Sequence, residues 1–223
     1  NKDARLYEIG NIYLPKQLPL TELPEERKML TLGMYGQCDF FNMKGVLEEL
    51  FEKLGLHHAF TYNPKGGYPF LHPGRQAAIQ NGEDVIGYIG QLHPEVVDNY
   101  NMKGEVYVAV VDLPKLTALA SFDRKYEGIA KFPASTRDLS MVMSKDIFVG
   151  QVEEVIKKYG GNLLENYELF DVYEGEQVGR GKKSVAYTMT FRAKDRNLEA
   201  SEVNAITDKI IAGLQKMGIE LRG

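Results

Sequence analysis

The sequence predicts an α+β protein in two parts, an antiparallel sheet with a few helices and then a domain with the order β-α-β-β-α-β. Three observations predict this fold. Strand patterns in the first part alternate with short helix patterns. In the second part, two strand patterns are joined by a charged, glycine-containing turn, and an amphipathic helix pattern lies on each side of that pair. A composition of 43% hydrophobic and 26% charged residues is typical of folded domains.

The first part opens with a strand pattern over residues 4–13, and a second follows over residues 27–35. Asn42 is predicted to cap a helix that Gly55 closes. Two further strands, residues 76–80 and 84–92, are predicted to form a hairpin through Asn81-Gly82, the preferred pair for a type I′ turn. Because the chain starts directly in a strand, we expect it to begin inside a domain.

The rest of the first part is predicted to contain a loop, two short helices and a buried strand. The loop covers residues 62–67, the helices begin at Pro94 and Pro114, and the strand covers residues 105–112. Residues 121–132 have no clean periodicity and end at Pro133, which favours a domain boundary there. The predicted domains are therefore residues 1–122 and 131–223, with a linker over 123–130.

Six elements are predicted in the second part. They are strands over 138–143, 163–173, 183–192 and 219–221 and helices over 149–159 and 199–217. This order is that of the ferredoxin-like split βαβ unit. Glu199 stands where a Ser or Thr would cap the last helix, which predicts a weakened helix end.

In that fold both helices cover one face of the sheet, here called the inner face, and leave the opposite outer face open. Alternation along residues 183–192 assigns the following side chains to the inner face: Val185, Tyr187, Met189 and Phe191. It assigns Ser184, Ala186, Thr188 and Thr190 to the outer face. On the strand before, Phe170 and Val172 are predicted to point inward and Asp171 outward. Tyr167 and Leu169 would follow Asp171 unless a β-bulge changes their phase.

An open sheet face of this kind serves either RNA or another protein. The RNA recognition motif is disfavoured, because Ala186 and Thr188 occupy the positions where its third strand carries stacking aromatic residues. The net charge is −4, and residues 131–223 carry 14 Lys and Arg against 14 Asp and Glu. This balance excludes a highly charged, nonspecific nucleic-acid binder.

Several strings of the second part resemble one known domain. They are residues 131–143 (KFPASTRDLSMVM), 169–175 (LFDVYEG), 181–192 (GKKSVAYTMTFR) and 202–204. Together they resemble the ferredoxin-fold anticodon-binding domain that ends the β subunit of bacterial phenylalanyl-tRNA synthetase. Strings of the first part, residues 5–10, 39–45, 71–75 and 90–96, are similar to the catalytic-like domain of the same family.

The resemblance implies a β subunit that works with a catalytic α subunit in an α2β2 enzyme of the cytoplasm, with tRNA(Phe) as substrate and with ATP and Mg²⁺. The implied fold of the first part is that of class II synthetases without their chemistry. Class II ATP sites need an arginine in a Gly-x-Gly-x-Gly-x-Glu-Arg string, which this sequence lacks, and Arg75 does not replace it. No catalytic residue and no cofactor is therefore expected in this chain.

The implied RNA contacts divide into base contacts and phosphate contacts. Asp171 and Ser184 are the first candidates for bases, since a carboxylate accepts from base amino groups and a hydroxyl donates or accepts. Ser140, Ala186 and Thr188 share their predicted face. The candidates for phosphates are Arg137, Arg180, Lys182, Lys183 and Arg192. A solvated polar surface explains each of these residues individually as well.

Other kinds of site have less support in the sequence. His72 and His93 each follow a leucine and precede a proline, in the similar strings LHPGR and QLHPEV. Neither these two residues nor the pair His57-His58 have further ligands at metal-site spacing. Cys38 is the only cysteine, so no internal disulfide can form. Two alternatives stay open: a module that docks its sheet on another subunit, and a small acyl-phosphate hydrolase. The hydrolase would need a phosphate-cradling loop with a fixed Arg and Asn, which the sequence does not offer.

Overall fold

In the computed structural model, the strands of the described residues form two antiparallel sheets, one in each of two units. The units are Asn1–Tyr126 and Glu127–Gly223. The structure describes residues 2–57, 59–123, 126 and 128–222. The predicted linker over 123–130 includes residues 124, 125 and 127, which lie outside the described residues. The domain limits drawn from the sequence therefore stay a prediction.

Over its described residues, the first unit consists of a six-stranded sheet and three helices. Its strands are β1 (Ala4–Leu14), β2 (Glu25–Tyr35), β3 (Thr61–Asn63), β4 (Leu71–Asn81), β5 (Asp84–Leu92) and β6 (Val106–Asp112), and its helices are α1 (Phe40–Lys53), α2 (Pro94–Asn99) and α3 (Leu113–Leu119). The strand order is β1-β2-β6-β5-β4-β3. Met43, Leu47 and Phe51 of α1 are buried in one core with Ile89 of β5 and Val111 of β6.

The cap of α1 differs from the prediction. The N-cap is Asp39, and Asn42 is the third residue of the helix. The Asp39 carboxylate accepts from the Asn42 N–H at 2.8 Å, and the Asn42 side chain accepts from the Asp39 N–H at 2.8 Å. The two side chains thus satisfy two of the free N–H groups at the helix start, in the arrangement of a capping box. The helix ends at Lys53, two residues before Gly55.

The β4–β5 hairpin also differs from the prediction. Asn81 pairs with Asp84, so the loop residues are Gly82 and Glu83. Gly82 has φ +59, whereas Glu83 is not among the residues with positive φ. A type I′ turn needs positive φ at both central residues, so the predicted turn type is wrong. Strand β3 lies partly in the predicted loop over 62–67. The sequence did not predict this strand, because three residues are too few to show a strand period.

The second unit has the predicted order β-α-β-β-α-β. Its elements are β7 (Ser135–Ser144), α4 (Val149–Gly160), β8 (Leu164–Tyr173), β9 (Lys182–Phe191), α5 (Ala200–Gln215) and β10 (Glu220–Leu221). The sheet order is β10-β7-β9-β8, with antiparallel neighbours throughout. The α+β class and the ferredoxin-like topology are thus confirmed.

The inner face of this sheet carries the core of the second unit. The buried inner-face residues of β9 are Val185, Tyr187, Met189 and Phe191, and those of β7 are Leu139, Met141 and Met143. They pack with Val152 and Ile156 of α4 and with Val203, Ile210 and Leu214 of α5. The predicted inner row of β9 is therefore confirmed. In the described part of the chain, none of the helices has the length and apolar character needed to cross a membrane.

Candidate RNA-binding surface

The outer face of the second sheet is built from residues that the strand register places side by side. Ala186 of β9 lies between Ser140 of β7 and Asp171 of β8, and Ser184 lies between Val142 and Tyr173. Directly opposed residues of antiparallel strands point to the same side of a sheet. Asp171 and Ser184 therefore share one face on neighbouring strands, as predicted.

A bulge in β8 decides which of its side chains face outward. Leu169 pairs with Tyr187, but the next pair along β8 is Asp171 with Ala186, so Phe170 is the extra residue. The bulge turns Tyr167 and Leu169 toward the core, where both pack partly buried. Phe170 is 55% exposed, and the prediction that it points into the core is wrong. Val172 is opposite buried Val185 but is itself exposed, because β8 is an edge strand.

The predicted base-contact residues lie together, but two of them are less accessible than expected. Ser140, Asp171 and Thr188 are partly or fully exposed on the outer face. Ser184 and Ala186 each retain only 5% of their exposure. The expectation of an open, flat surface at these two residues is therefore wrong.

Three residues that the sequence did not single out lie over this part of the face. Arg222 follows β10, and its N–H donates to the Ser140 carbonyl at 2.9 Å. Its guanidinium carbon lies 5.9 Å from the centroid of the Tyr173 ring, and Nη2 donates to the Gln177 side chain at 3.3 Å. We call Tyr173, Gln177 and Arg222 the clasp. Alternation from Asp171 could have indicated Tyr173, whereas Arg222 requires the strand order of the sheet.

The charge of the outer face is mainly negative. By register its carboxylates are Asp138, Glu168, Asp171 and Glu220, and its cations are Lys182 and Arg222. The Asp138 carboxylate accepts from the Thr188 hydroxyl at 2.7 Å. Lys182 Nζ lies 3.9 Å from a Glu220 oxygen. A face of this charge offers phosphates little general attraction, so any RNA recognition here must depend on individual contacts.

The five predicted phosphate contacts do not form one patch. Arg137 lies on the inner side and donates to the Asn204 side chain of α5 at 3.0 Å. Lys183 is opposite core residue Met143, and partial burial lowers its pKa. Arg192 lies beyond the far end of β9, with Nε 2.8 Å from a Glu165 oxygen. Lys182 stands at the start of β9, and exposed Arg180 lies two residues earlier in the turn before it.

The first unit contains a polar cluster around Glu105 that the sequence reasoning missed. One Glu105 oxygen accepts from Arg75 at 2.7 Å, and the other accepts from the hydroxyl of buried Tyr107 at 2.6 Å. These two bonds, that from Tyr107 first, lower the pKa of Glu105. Burial, and then the bond to Glu105, raises the pKa of Tyr107 to about 12. Gln91 and Glu105 both accept from Nη1 of Arg75, at 2.6 Å and 2.7 Å.

Two histidines of the first unit, His72 and His93, have structural partners. His93 is the N-cap of α2 and accepts from the Glu95 N–H at 3.3 Å through Nδ1. His72 accepts from the Gly74 N–H at 3.1 Å in the same way. His58 lies outside the described residues. Among the residues that are described, no group of three or more acidic, His or Cys side chains could hold a metal ion.

Comparison with known proteins places both units in one family. Residues 1–113 match the model of the phenylalanyl tRNA synthetase beta chain CLM domain, and residues 130–222 match that of the ferredoxin-fold anticodon binding domain. Over its whole length the chain is 43% identical to the phenylalanine–tRNA ligase beta subunit of Clostridium acetobutylicum and 40% identical to that of Clostridium tetani. It spans 28% of the length of each of these relatives. A solved pyrrolysyl-tRNA synthetase of Desulfitobacterium hafniense is similar over 52% of this chain and 41% of its own, with a TM-score of 0.41 and 16% identity.

Proposed function

The chain belongs to the phenylalanyl-tRNA synthetase β chain family, and from this premise we propose that its second unit binds the anticodon of tRNA(Phe). The observation that carries the proposal is the common outward position of Asp171 and Ser184 on neighbouring strands. A carboxylate accepts from the amino and imino groups of a base, and a hydroxyl supplies a second bond of either kind. Ala186, opposite Asp171, has a small side chain, so a base can approach the sheet there once the side chains that cover it move aside.

The role of this surface is positioning rather than chemistry. Holding the anticodon fixes the orientation of a tRNA, so that its acceptor end reaches a distant active site correctly. In the proposed enzyme, a phenylalanine–tRNA ligase, the reaction takes place in an α subunit that uses ATP and Mg²⁺.

We propose a synthetase α subunit as the protein partner, in a cytoplasmic α2β2 assembly. The apolar side chains of edge strand β1 support the need for a partner protein. Leu6 is 68% exposed, Tyr7 75% and Ile9 54%. Apolar residues so concentrated on an edge strand are typical of surfaces that another chain or segment covers.

Binding of two transcripts tests the proposed RNA function: tRNA(Phe) and the same tRNA with an exchanged anticodon. We expect the full chain of 223 residues to prefer the cognate transcript. Asp171→Asn should weaken cognate binding by about tenfold, since the carboxylate is the acceptor for the base. Asp208→Asn, an equal charge change on the exposed side of α5, serves as the matched control and should leave binding unchanged. Equal binding of the two transcripts would overturn the proposal.

The acidic character of the outer face favours a second candidate, in which this face docks on another protein. Hydrogen exchange of the assembled enzyme with and without tRNA separates the two functions. Protection of residues 167–173 and 183–192 on adding tRNA supports anticodon binding. Protection of the same strands on subunit assembly alone supports docking.

A further inference from the structure

We propose that Arg222 is an RNA-binding residue of the outer face, held against Tyr173 until RNA displaces it. The proposal rests on the proposed anticodon function and adds to it a cation from the opposite edge of the sheet. RNA that enters must open the clasp to reach Ser184, and the released guanidinium then binds a phosphate of the same strand.

The strand order shows how far Arg222 reaches. It continues the edge strand β10 next to Ser140, whereas Tyr173 belongs to β8 at the other edge. Strands β7 and β9 lie between them, so three spacings of about 4.8 Å separate the two edges. A guanidinium carbon 5.9 Å from the Tyr173 ring therefore means that the two side chains meet above the middle strands.

This meeting point explains the low exposure of the predicted contacts. Ser184 is directly opposite Tyr173, and Ala186 is opposite Ser140, the backbone partner of Arg222. The helices pack on the other face of the sheet and do not cover these residues. The clasp, together with the turn Glu176–Val178 that carries Gln177, lies on the outer side of Ser184, so a base must open the clasp to contact Ser184.

The contacts of Arg222 are suited to release. Its hydrogen bond to Gln177 is long at 3.3 Å, and its position over an exposed ring is a weak interaction. None of the ion pairs within the described ranges involves Arg222. The other cation of the face, Lys182, is paired with Glu220 at 3.9 Å. Within the described residues, Arg222 therefore brings a charge without an ion pair to a face rich in carboxylates. A guanidinium binds phosphate through two parallel hydrogen bonds, which a tyrosine ring cannot offer it.

The affinity of the full chain for tRNA(Phe) tests the RNA contact. Arg222→Ala should weaken binding by about tenfold through loss of a charge-assisted contact. Arg222→Lys keeps the charge but not the planar fork of the guanidinium. Its affinity for tRNA(Phe) should lie between those of Arg222→Ala and the wild type. Lys209→Ala removes the same charge from the exposed surface of α5 and should have no effect. If Arg222→Ala binds as tightly as the wild type or more tightly, the RNA contact is overturned.

A thiol probe tests the closed clasp without RNA. In a Cys38→Ser background, Ser184→Cys places the only thiol under the clasp, where we expect slow reaction with a maleimide. Adding Arg222→Ala should speed this reaction by about tenfold, because the contacts that close the clasp are lost. Equal rates would overturn the clasp as a cover. If wild-type chain fails to distinguish the two transcripts, the proposed function falls, while the thiol rates still decide whether Arg222 covers Ser184.

Discussion

Two phenylalanines on neighbouring strands show how one backbone irregularity changes the role of a residue. Phe191 is fully buried in the core of the second unit. Phe170 is equally apolar, but it is the extra residue of the β8 bulge and is 55% exposed. Burial on folding, not residue type, determines how much each ring stabilises the domain.

Alanine substitution of the two rings should therefore give unequal losses. Phe191→Ala removes a fully buried ring and should lower the free energy of unfolding by about 3–5 kcal/mol. Phe170→Ala should cost less than about 1 kcal/mol, since the ring is half exposed and outside the core. Urea unfolding of both variants, compared at equal m-values, measures the difference. Equal losses would mean that Phe170 packs into the core.

At the scale of elements, the first turn of α5 shows how neighbouring residues replace a missing cap. Glu199 is the N-cap, and its side chain makes no capping bond. Instead, Glu202 accepts from the Glu199 N–H at 3.0 Å. Arg196 holds the same carboxylate with two bonds of 2.8 Å. The weak helix end expected from Glu199 is thus supported by the residue three positions later.

Glu202→Gln should lower the melting temperature at neutral pH, because it removes the charge that Arg196 and the helix start both favour. The bond from Arg196, and then that from the Glu199 backbone, lowers the pKa of Glu202 from 4.5. The charged carboxylate therefore stabilises the fold fully above pH 4.5, and this stabilisation is lost as the pH falls through the lowered pKa.

Melting curves of Glu202→Gln and wild type at pH 7 and at successively lower pH check this. The difference in melting temperature between Glu202→Gln and the wild type should disappear in acid. Glu154→Gln, on the exposed side of α4, is the matched control and should show no such gap. A gap that persists at the lowest pH would point to a steric rather than an electrostatic effect.

Elements long enough to show a period were predictable from the sequence, and contacts that need the sheet order were not. Alternation along β9 assigned its buried row correctly, because every second residue faces the same core. The β8 bulge has no Gly or Pro to mark it, so alternation failed there. The common face of Asp171 and Ser184 was predicted, whereas the clasp depends on β8 and β10 lying at opposite edges of one sheet.

At the scale of the whole molecule, charge limits how the chain can bind RNA. The net charge is −4, and residues 131–223 carry equal numbers of basic and acidic side chains. Three of the five predicted phosphate contacts, Arg137, Lys183 and Arg192, donate to protein groups. The proposed RNA binding therefore depends on a few cations, namely Arg180, Lys182 and Arg222, and on base contacts that release no counterions.

The salt dependence of tRNA binding should accordingly be shallow. Each phosphate contact to a single strand contributes about 0.7 to the slope of log K against log salt, so three cations give a slope of about −2. Titrations of the full chain at several salt concentrations between about 50 and 200 mM measure this slope. Arg222→Ala should make it shallower by about 0.7, and Lys209→Ala should leave it unchanged. A slope of about −5 or steeper would show that many more phosphates are bound, which the charge of this face cannot support.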